Sequence, residues 1–353
     1  MPDPSLPASL GYNMPAEWEP HAATWLTWPH NPQTWPGQDM AQVESAYLEM
    51  IRALAPGETV NVLVKDDATK NRVLDELKQD ALSSVVLHII PTNDSWARDY
   101  GPNFLVRTKA NGREVALNKW NFNSWGGKYN WEKDNEAGSR IAALTGHKRF
   151  DPGIILEGGA IEVNGAGVCL TTESCLLNPN RNTGLGRGEM ETYLKNYLGV
   201  QKIIWLNGDM EGDDTDGHID NLARFVSPGT ILCAYEDDES DPNYAGLKSN
   251  YEKLKSATDQ DGKPFNIVRL PMPGYVGSET ERLPASYANF YIGNHAVLLP
   301  MYGHPNDDEA RKILQASFPD RKIVGITSHI LVWGLGSCHC LTQQQPLAVE
   351  ANS

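Results

Sequence analysis

One local unit keeps returning along this chain: a helical stretch that a glycine or proline stops, followed by a short apolar strand. From Met40 to Ala55, the residues Val43, Ala46, Tyr47, Met50, Ile51 and Leu54 fall at helical spacing, and Pro56-Gly57 ends the run before the β-rich segment Thr59 to Val64. Helical spacing resumes from Ala68 to Leu82 and leads into Val85 to Ile90, which reads as a buried strand. The unit recurs as Met190 to Leu198 with Lys202 to Leu206, as Tyr244 to Ala257 with Phe265 to Leu270, and as Asp307 to Phe318 with Lys322 to Ile326. Hairpins interleave with these units. Ile161 to Val163 and Val168 to Leu170 flank Asn164-Gly165, and Tyr287 to Ile292 and Ala296 to Leu299 flank Gly293-Asn294. Asn121 to Glu136 shows no period and reads as a long loop. No low-complexity linker divides the chain, so the expectation is a single α/β domain over residues 1–353.

Apolar residues make up 40% of the 353 residues, enough for a large core, and the formal charge is −15. So acidic a surface repels phosphate backbones and anionic membranes and favours cationic ligands; neither nucleic acid nor membrane is expected as a partner. The five cysteines, Cys169, Cys175, Cys233, Cys338 and Cys340, are odd in number and scattered, unlike a disulfide framework. Met1 to Gly11 carries no secretory signal and no stretch is apolar enough to span a bilayer, so the expected setting is the cytoplasm.

Four segments carry candidate chemistry. In Asn93 to Pro102, Asp99 follows a strand, Trp96 is placed to cover a planar cation, and Arg98 to steer a carboxylate; the plain alternative is a turn capped by Asp94 with Asp99 paired to Arg98. Glu157 ends the apolar run Ile154 to Leu156 and precedes Gly158-Gly159, where a buried carboxylate needs a partner. In Gly212 to Asn221, an extended chain would point His218 and Asp220 to one face. A calcium loop is excluded there, because aligning Gly217 to the turn glycine puts Gly212 and Ala223 at ligand positions. In Gly334 to Gln344, an extended chain would set Cys338 and Cys340 on one face roughly 6.5–7 Å apart, poor for a disulfide and for zinc; a reactive thiol fits better. Nucleotide P-loop, zincin and serine-hydrolase motifs are absent, and His339 occupies the third small position of a dinucleotide fingerprint.

Taken in register, Trp96-Ala-Arg-Asp-Tyr-Gly-Pro102, Glu157-Gly-Gly159, Asp213-Asp-Thr-Asp-Gly-His-Ile-Asp-Asn221 and His339-Cys-Leu-Thr-Gln-Gln-Gln-Pro346 resemble the agmatine deiminase family, which includes bacterial peptidylarginine deiminase. The opening Met14-Pro-Ala-Glu-Trp-Glu-Pro-His-Ala-Ala-Thr-Trp25 is similar to that family's start, so the resemblance runs from about Met14 to Pro346. It implies a five-bladed α/β propeller, the pentein fold, with an axial site and no metal or organic cofactor. Carried over by position, it implies Cys340 as nucleophile, His218 as general acid/base, Asp99 and Asp220 as carboxylates gripping a guanidinium, and Glu157 as a further partner in proton transfer. Trp96 and Asp214 match positions lining the substrate pocket. One departure stands out: the family's usual run of three glycines, Asn and an apolar residue before His-Cys reads Gly334-Leu335-Gly336-Ser337-Cys338 here, so Leu335 needs space beside the substrate channel and alters the loop's φ preferences.

The implied reaction is the hydrolysis of agmatine to N-carbamoylputrescine and ammonia. A peptidylarginine deiminase, an amidinotransferase and a non-catalytic module that binds a small cation are the alternatives. The state of assembly, monomer or homo-oligomer, is left open.

Overall fold

The computed structural model describes residues 3–80, 83–110 and 112–350. Its strands group into five separate sheets, and four of them are built alike. The third sheet shows the plan. A short strand, β7 (Ile161–Val163), turns back antiparallel into β8 (Val168–Thr172); the helix Arg187–Leu198 then crosses over so that β9 (Lys202–Leu206) lies parallel to β8. The chain chemistry calls for this order, because a tight turn joins antiparallel strands whereas a parallel neighbour needs a crossover. The plan repeats as β4 (Asn103–Lys109), β5 (Gly112–Asn118) and β6 (Lys148–Phe150) around the helix Glu132–Thr145. It repeats again as β10 (Ala223–Ser227), β11 (Thr230–Tyr235) and β12 (Asn266–Pro271), and as β13 (Tyr291–Ile292), β14 (Ala296–Met301) and β15 (Lys322–Thr327). The remaining sheet joins the two ends of the chain. β1 (His21–Thr27) runs parallel to β2 (Thr59–Val64), which is followed by β3 (Val85–Ile89), while β16 (Thr342–Pro346) from the far end pairs antiparallel with β1.

Each sheet is entered through a single tight turn: Ala97–Tyr100 before β4, Gly158–Ala160 before β7, Ile219–Asn221 before β10, Tyr287–Asn289 before β13, and the bend over Ser337–Leu341 before β16. These five turns meet in a ring. Neighbouring turns touch in sequence order, the His339 N–H donates to the Asn289 carbonyl at 3.0 Å, and the Arg98 N–H donates to the Cys340 carbonyl at 3.2 Å, which closes the circle. The structure is thus a five-bladed α/β propeller, as expected.

Five expectations about local structure change. Val85–Ile89 is an edge strand, not a buried one: it pairs only with β2, and Val86 and Ile89 are exposed. The segment read as a long loop from Asn121 to Glu136 contains a tight turn at Ser124–Gly127 and the start of the helix Glu132–Thr145. His218 to Asp220 is not a strand, since Ile219–Asn221 is a 3-10 turn. The chain from Cys338 to Cys340 is bent, with the Leu341 N–H donating to the Ser337 carbonyl. The helix read as far as Leu82 runs from Asp67 to Leu77; Ala81 and Leu82 lie outside the described residues.

At the hub of the ring sits Glu17, buried and ionised. Its Oε1 accepts from Arg224 Nη2 at 2.8 Å and from the Ile292 N–H at 2.9 Å; its Oε2 accepts from Arg98 Nη2 at 3.2 Å and faces His339 Nε2 at 2.9 Å. Arg224 also holds Glu162 at 2.9 Å. Burial works against the Glu17 carboxylate, yet Arg224, His339 and Arg98 together hold it well below its usual range. Removing one member of such a cluster leaves a buried charge without its partner. Arg224→Ala is expected to cost about 3–5 kcal/mol in urea unfolding; an unchanged midpoint would show that the cluster does not hold the blades together.

Candidate active site

The same five turns that close the ring carry the chemically distinctive side chains. Asp99 comes from the first, Glu157 and Gly159 from the second, His218 and Asp220 from the third, Asn289 from the fourth and Cys340 from the fifth. A one-turn element placed before a strand aims its side chains at the ring's centre while the strand anchors it in a blade.

All five sequence-predicted catalytic residues are buried, and they lie close together. His218 Nδ1 is 3.8 Å from Asp99 Oδ1, and Cys340 Sγ is 3.7 Å from Asp220 Oδ2. Gly159 marks the point where three of them converge: a Cβ there would sit 2.6 Å from His218 Nδ1, 2.9 Å from Asp99 Oδ1 and 3.0 Å from Asp220 Oδ2, so no side chain fits. Glu157 is paired rather than free. Its Oε1 accepts from Arg181 Nε at 2.6 Å, and Arg181 reaches on to Asp216 and to the Thr215 carbonyl.

A cavity of about 450 Å³ opens above this group, and Asp99, Cys340, Trp96, Trp125, Asp214 and Leu335 are among the residues lining it. Trp96 packs over Gly336, where a Cβ would come within 2.5 Å of the indole. Asp214 stands at the mouth, with Tyr129 Oη donating to it at 2.7 Å and Lys128 Nζ 3.1 Å away. Leu335 adopts φ 68°, a left-handed conformation costly for a branched side chain, so the expected change in loop preference and the need for space beside the cavity are both present.

Arg98 departs from expectation. Its guanidinium faces the hub, bound to Glu17, to Gln344 Oε1 at 2.7 Å and to the His339 carbonyl at 3.3 Å, and so is not available to steer a ligand. Asp99 does not pair with it. Instead Asp99 Oδ1 accepts from the Gly159 N–H and Oδ2 from Trp125 Nε1, each at 3.0 Å.

Two groups at the site escaped the sequence reading. Asn289 Nδ2 donates to Cys340 Sγ at 3.0 Å, and its Oδ1 accepts the backbone N–H of His339 and Cys340. It had been read as part of a strand. Trp125 sat in the apparent loop, whose tryptophan and glycines were the only hint; it and Ser124 both hold φ 54°.

The electrostatics follow from burial and neighbours. Burial raises Asp99, with Asp220 and Glu157 adding to the effect and His218 opposing it. Burial alone would discharge His218, but Asp99, Cys175 and Asp220 outweigh it and hold the imidazole well above its usual value, hence protonated at neutral pH. The Cys340 thiol is pushed well up by burial and by the carboxylates Asp220 and Asp99, with Asn289 pulling the other way. Among the described residues, Asp220 Oδ1 is an acceptor with no hydrogen-bond partner, and both His218 nitrogens are also without one.

A ring of five blades around such a centre is the pentein architecture of guanidine-modifying proteins. The chain belongs to the Porphyromonas-type peptidyl-arginine deiminase family, whose model matches residues 13–346. Among curated relatives, agmatine deiminase of Ectopseudomonas mendocina is 38% identical over 368 residues, covering 97% of each chain. Agmatine deiminase of Enterococcus faecalis, solved while catalysing its reaction, superposes with a TM-score of 0.88 at 31% identity over 97% of this chain and 98% of that one. A cysteine-to-serine variant of the C. jejuni agmatine deiminase with substrate bound gives 0.84 at 32% identity, over 96% and 97%.

The resting thiols should be slow. Cys169, Cys233 and Cys338 are pushed up to about 12 by burial, and Cys175 and Cys340 are raised as well. Iodoacetamide at neutral pH is expected to label none of the five quickly, whereas a haloacetamidine, a planar cation, should alkylate Cys340 selectively because its charge favours the thiolate. Equal rates for the two reagents, read by peptide mass mapping, would contradict this electrostatic picture.

Proposed function

We propose that this protein is an agmatine deiminase, hydrolysing agmatine to N-carbamoylputrescine and ammonia, and that the whole chain, residues 1–353, acts as one catalytic unit. The observation that carries the reading is the meeting of a thiol, an imidazole and two buried carboxylates, of which Asp99 and Cys340 line an anionic cavity and His218 and Asp220 lie against them. A guanidinium is planar, with donors on every edge, and suits carboxylates that fix its plane. Asp99 and Asp220 take that role, with the unpaired Asp220 Oδ1 as one acceptor, and Trp96 covers the face.

In this mechanism the bound cation and the Asn289 amide favour loss of the Cys340 thiol proton to solvent through the open cavity, and the resulting thiolate adds to the guanidinium carbon. His218, already protonated, gives its proton to the departing ammonia and leaves a thiouronium on sulfur. Water then adds to the same carbon as His218 takes up its proton, and the C–S bond breaks to release the ureido product. Glu157, held by Arg181, keeps negative charge beside His218 and aids these transfers. The resting imidazole is charged, so the chemistry needs no proton from solvent at its first step.

The choice of agmatine rests on the relatives and on charge. Asp94, Asp99, Asp214 and Glu281 line the cavity and no lysine or arginine does so among the described residues, which suits an ammonium tail and leaves a carboxylate tail without a partner. The family's name favours a second reading, deimination of peptidyl-arginine. All five cysteines are unpaired, in keeping with a reducing compartment, and we place the protein in the cytoplasm.

Agmatine, free arginine and arginyl peptides, each scored for ammonia and ureido product, separate these readings; turnover of peptides but not agmatine would overturn the proposal. Cys340→Ser should abolish turnover while the protein stays folded, and near-normal activity would remove the covalent route. Trp125→Phe keeps the ring but loses the bond to Asp99. It is expected to lower kcat/KM roughly tenfold; an unchanged value would show that this bond does not orient Asp99.

A further inference from the structure

His339 is a buried titratable group that the mechanism does not use, although it immediately precedes Cys340. It faces away from the sulfur, with a carboxylate at each nitrogen: Nε2 is 2.9 Å from Glu17 Oε2 and Nδ1 is 2.7 Å from Asp220 Oδ2. An ionised carboxylate only accepts hydrogen bonds. Against burial, Arg224 and Arg98 hold the Glu17 carboxylate down, and His218 and Arg224 do the same for Asp220. Each ring nitrogen must then supply the proton in its own bond, so the ring stands as an imidazolium wedged between two anions.

We infer that His339 is a positioning residue for the deiminase reaction, a buried imidazolium that locks one oxygen of Asp220 so that the other stays free and ionised for the substrate cation. The inference rests on the agmatine reading above and assigns no contact between His339 and substrate. Three observations converge on it. Asp220 Oδ2 is taken by His339 while Oδ1 has no partner among the described residues. The ring cannot turn away, because its far nitrogen is fixed to Glu17, itself held by Arg98 and Arg224. The backbone N–H of His339 is also fixed, to Asn289, whose side chain donates to the nucleophile. The charged and titratable groups facing Asp220 are His339, His218, Arg224, Asp99 and Cys340; those facing His339 are Glu17, Asp220 and Glu162. Without the imidazolium, burial and the Asp99 charge would drive Asp220 toward its neutral form, which grips a cation poorly.

The test measures agmatine binding in a Cys340→Ser background, where no chemistry intervenes. Adding His339→Gln is expected to weaken binding roughly 10- to 100-fold, the loss of one charge-assisted hydrogen bond. The deficit should deepen as pH falls through the neutral range, since a neutral Asp220 becomes commoner. A role in packing alone would lower stability without this pH dependence. Binding as tight as that of the parent, or a deficit that does not vary with pH, overturns the inference. If the double variant fails to fold, nitrogen-15 NMR of the histidine-labelled parent decides the point: both His339 ring nitrogens carrying a proton across the neutral range supports it, and one bare nitrogen overturns it. Failure of the wild-type protein to turn over agmatine would instead overturn the function proposed above.

Discussion

The burial of many ionisable groups in one small volume is what the rest of this structure answers to. Glu17, Glu157, Glu162, Asp99 and Asp220 are all nearly inaccessible to water, as are Arg98, Arg181, Arg224 and His339. An isolated charge in such a place is very costly, and the groups persist because each has a partner, in most cases from another blade. Glu17 alone draws on the first, third, fourth and fifth turns or the strands that follow them. The ring is therefore an electrostatic assembly as much as a packing one, and the hydrophobic clusters inside the blades serve to hold its members at fixed positions.

The candidate site is a breach in that compensation. Among the described residues Asp220 keeps an oxygen without a hydrogen bond and His218 keeps both nitrogens without one, and the Cys340 thiol sits among carboxylates that disfavour its anion. A planar cation at that point relieves the first and the last of these: it supplies donors to the carboxylates and positive charge to the sulfur. Binding and activation of the nucleophile are then one event. This also explains why a strongly acidic surface and an anionic cavity accompany a site whose thiol is unreactive at rest.

Much of this was legible in the sequence. The helices that begin at Met40, Tyr244 and Asp307 appeared within a residue of both ends because their apolar spacing extends over several turns, whereas the helix from Arg187 was read three residues short, that from Asp67 five residues too long, and Glu132–Thr145 not at all. The Asn164-Gly165 hairpin announced itself by its turn residues. The five entry turns did not, since a single turn has no period to read and Tyr287 to Asn289 passes for the start of a strand. The Asp99, Glu157, His218, Asp220 and Cys340 segments stood out by composition and by family resemblance, not by any local geometry; two of the local geometries assumed for them were extended and proved to be bends. Val85–Ile89 misled because an apolar run looks the same at a sheet edge as within one. Glu17 and Arg224 lie 207 positions apart, and no pattern in one chain announces such a pair.

The most direct test is a rapid quench of the protein with agmatine followed by peptide mass mapping. A transient thiouronium adduct on the peptide bearing Cys340, formed and lost as ammonia appears, is the expected result. Ammonia released with no adduct there, or with the adduct on another cysteine, would contradict the account.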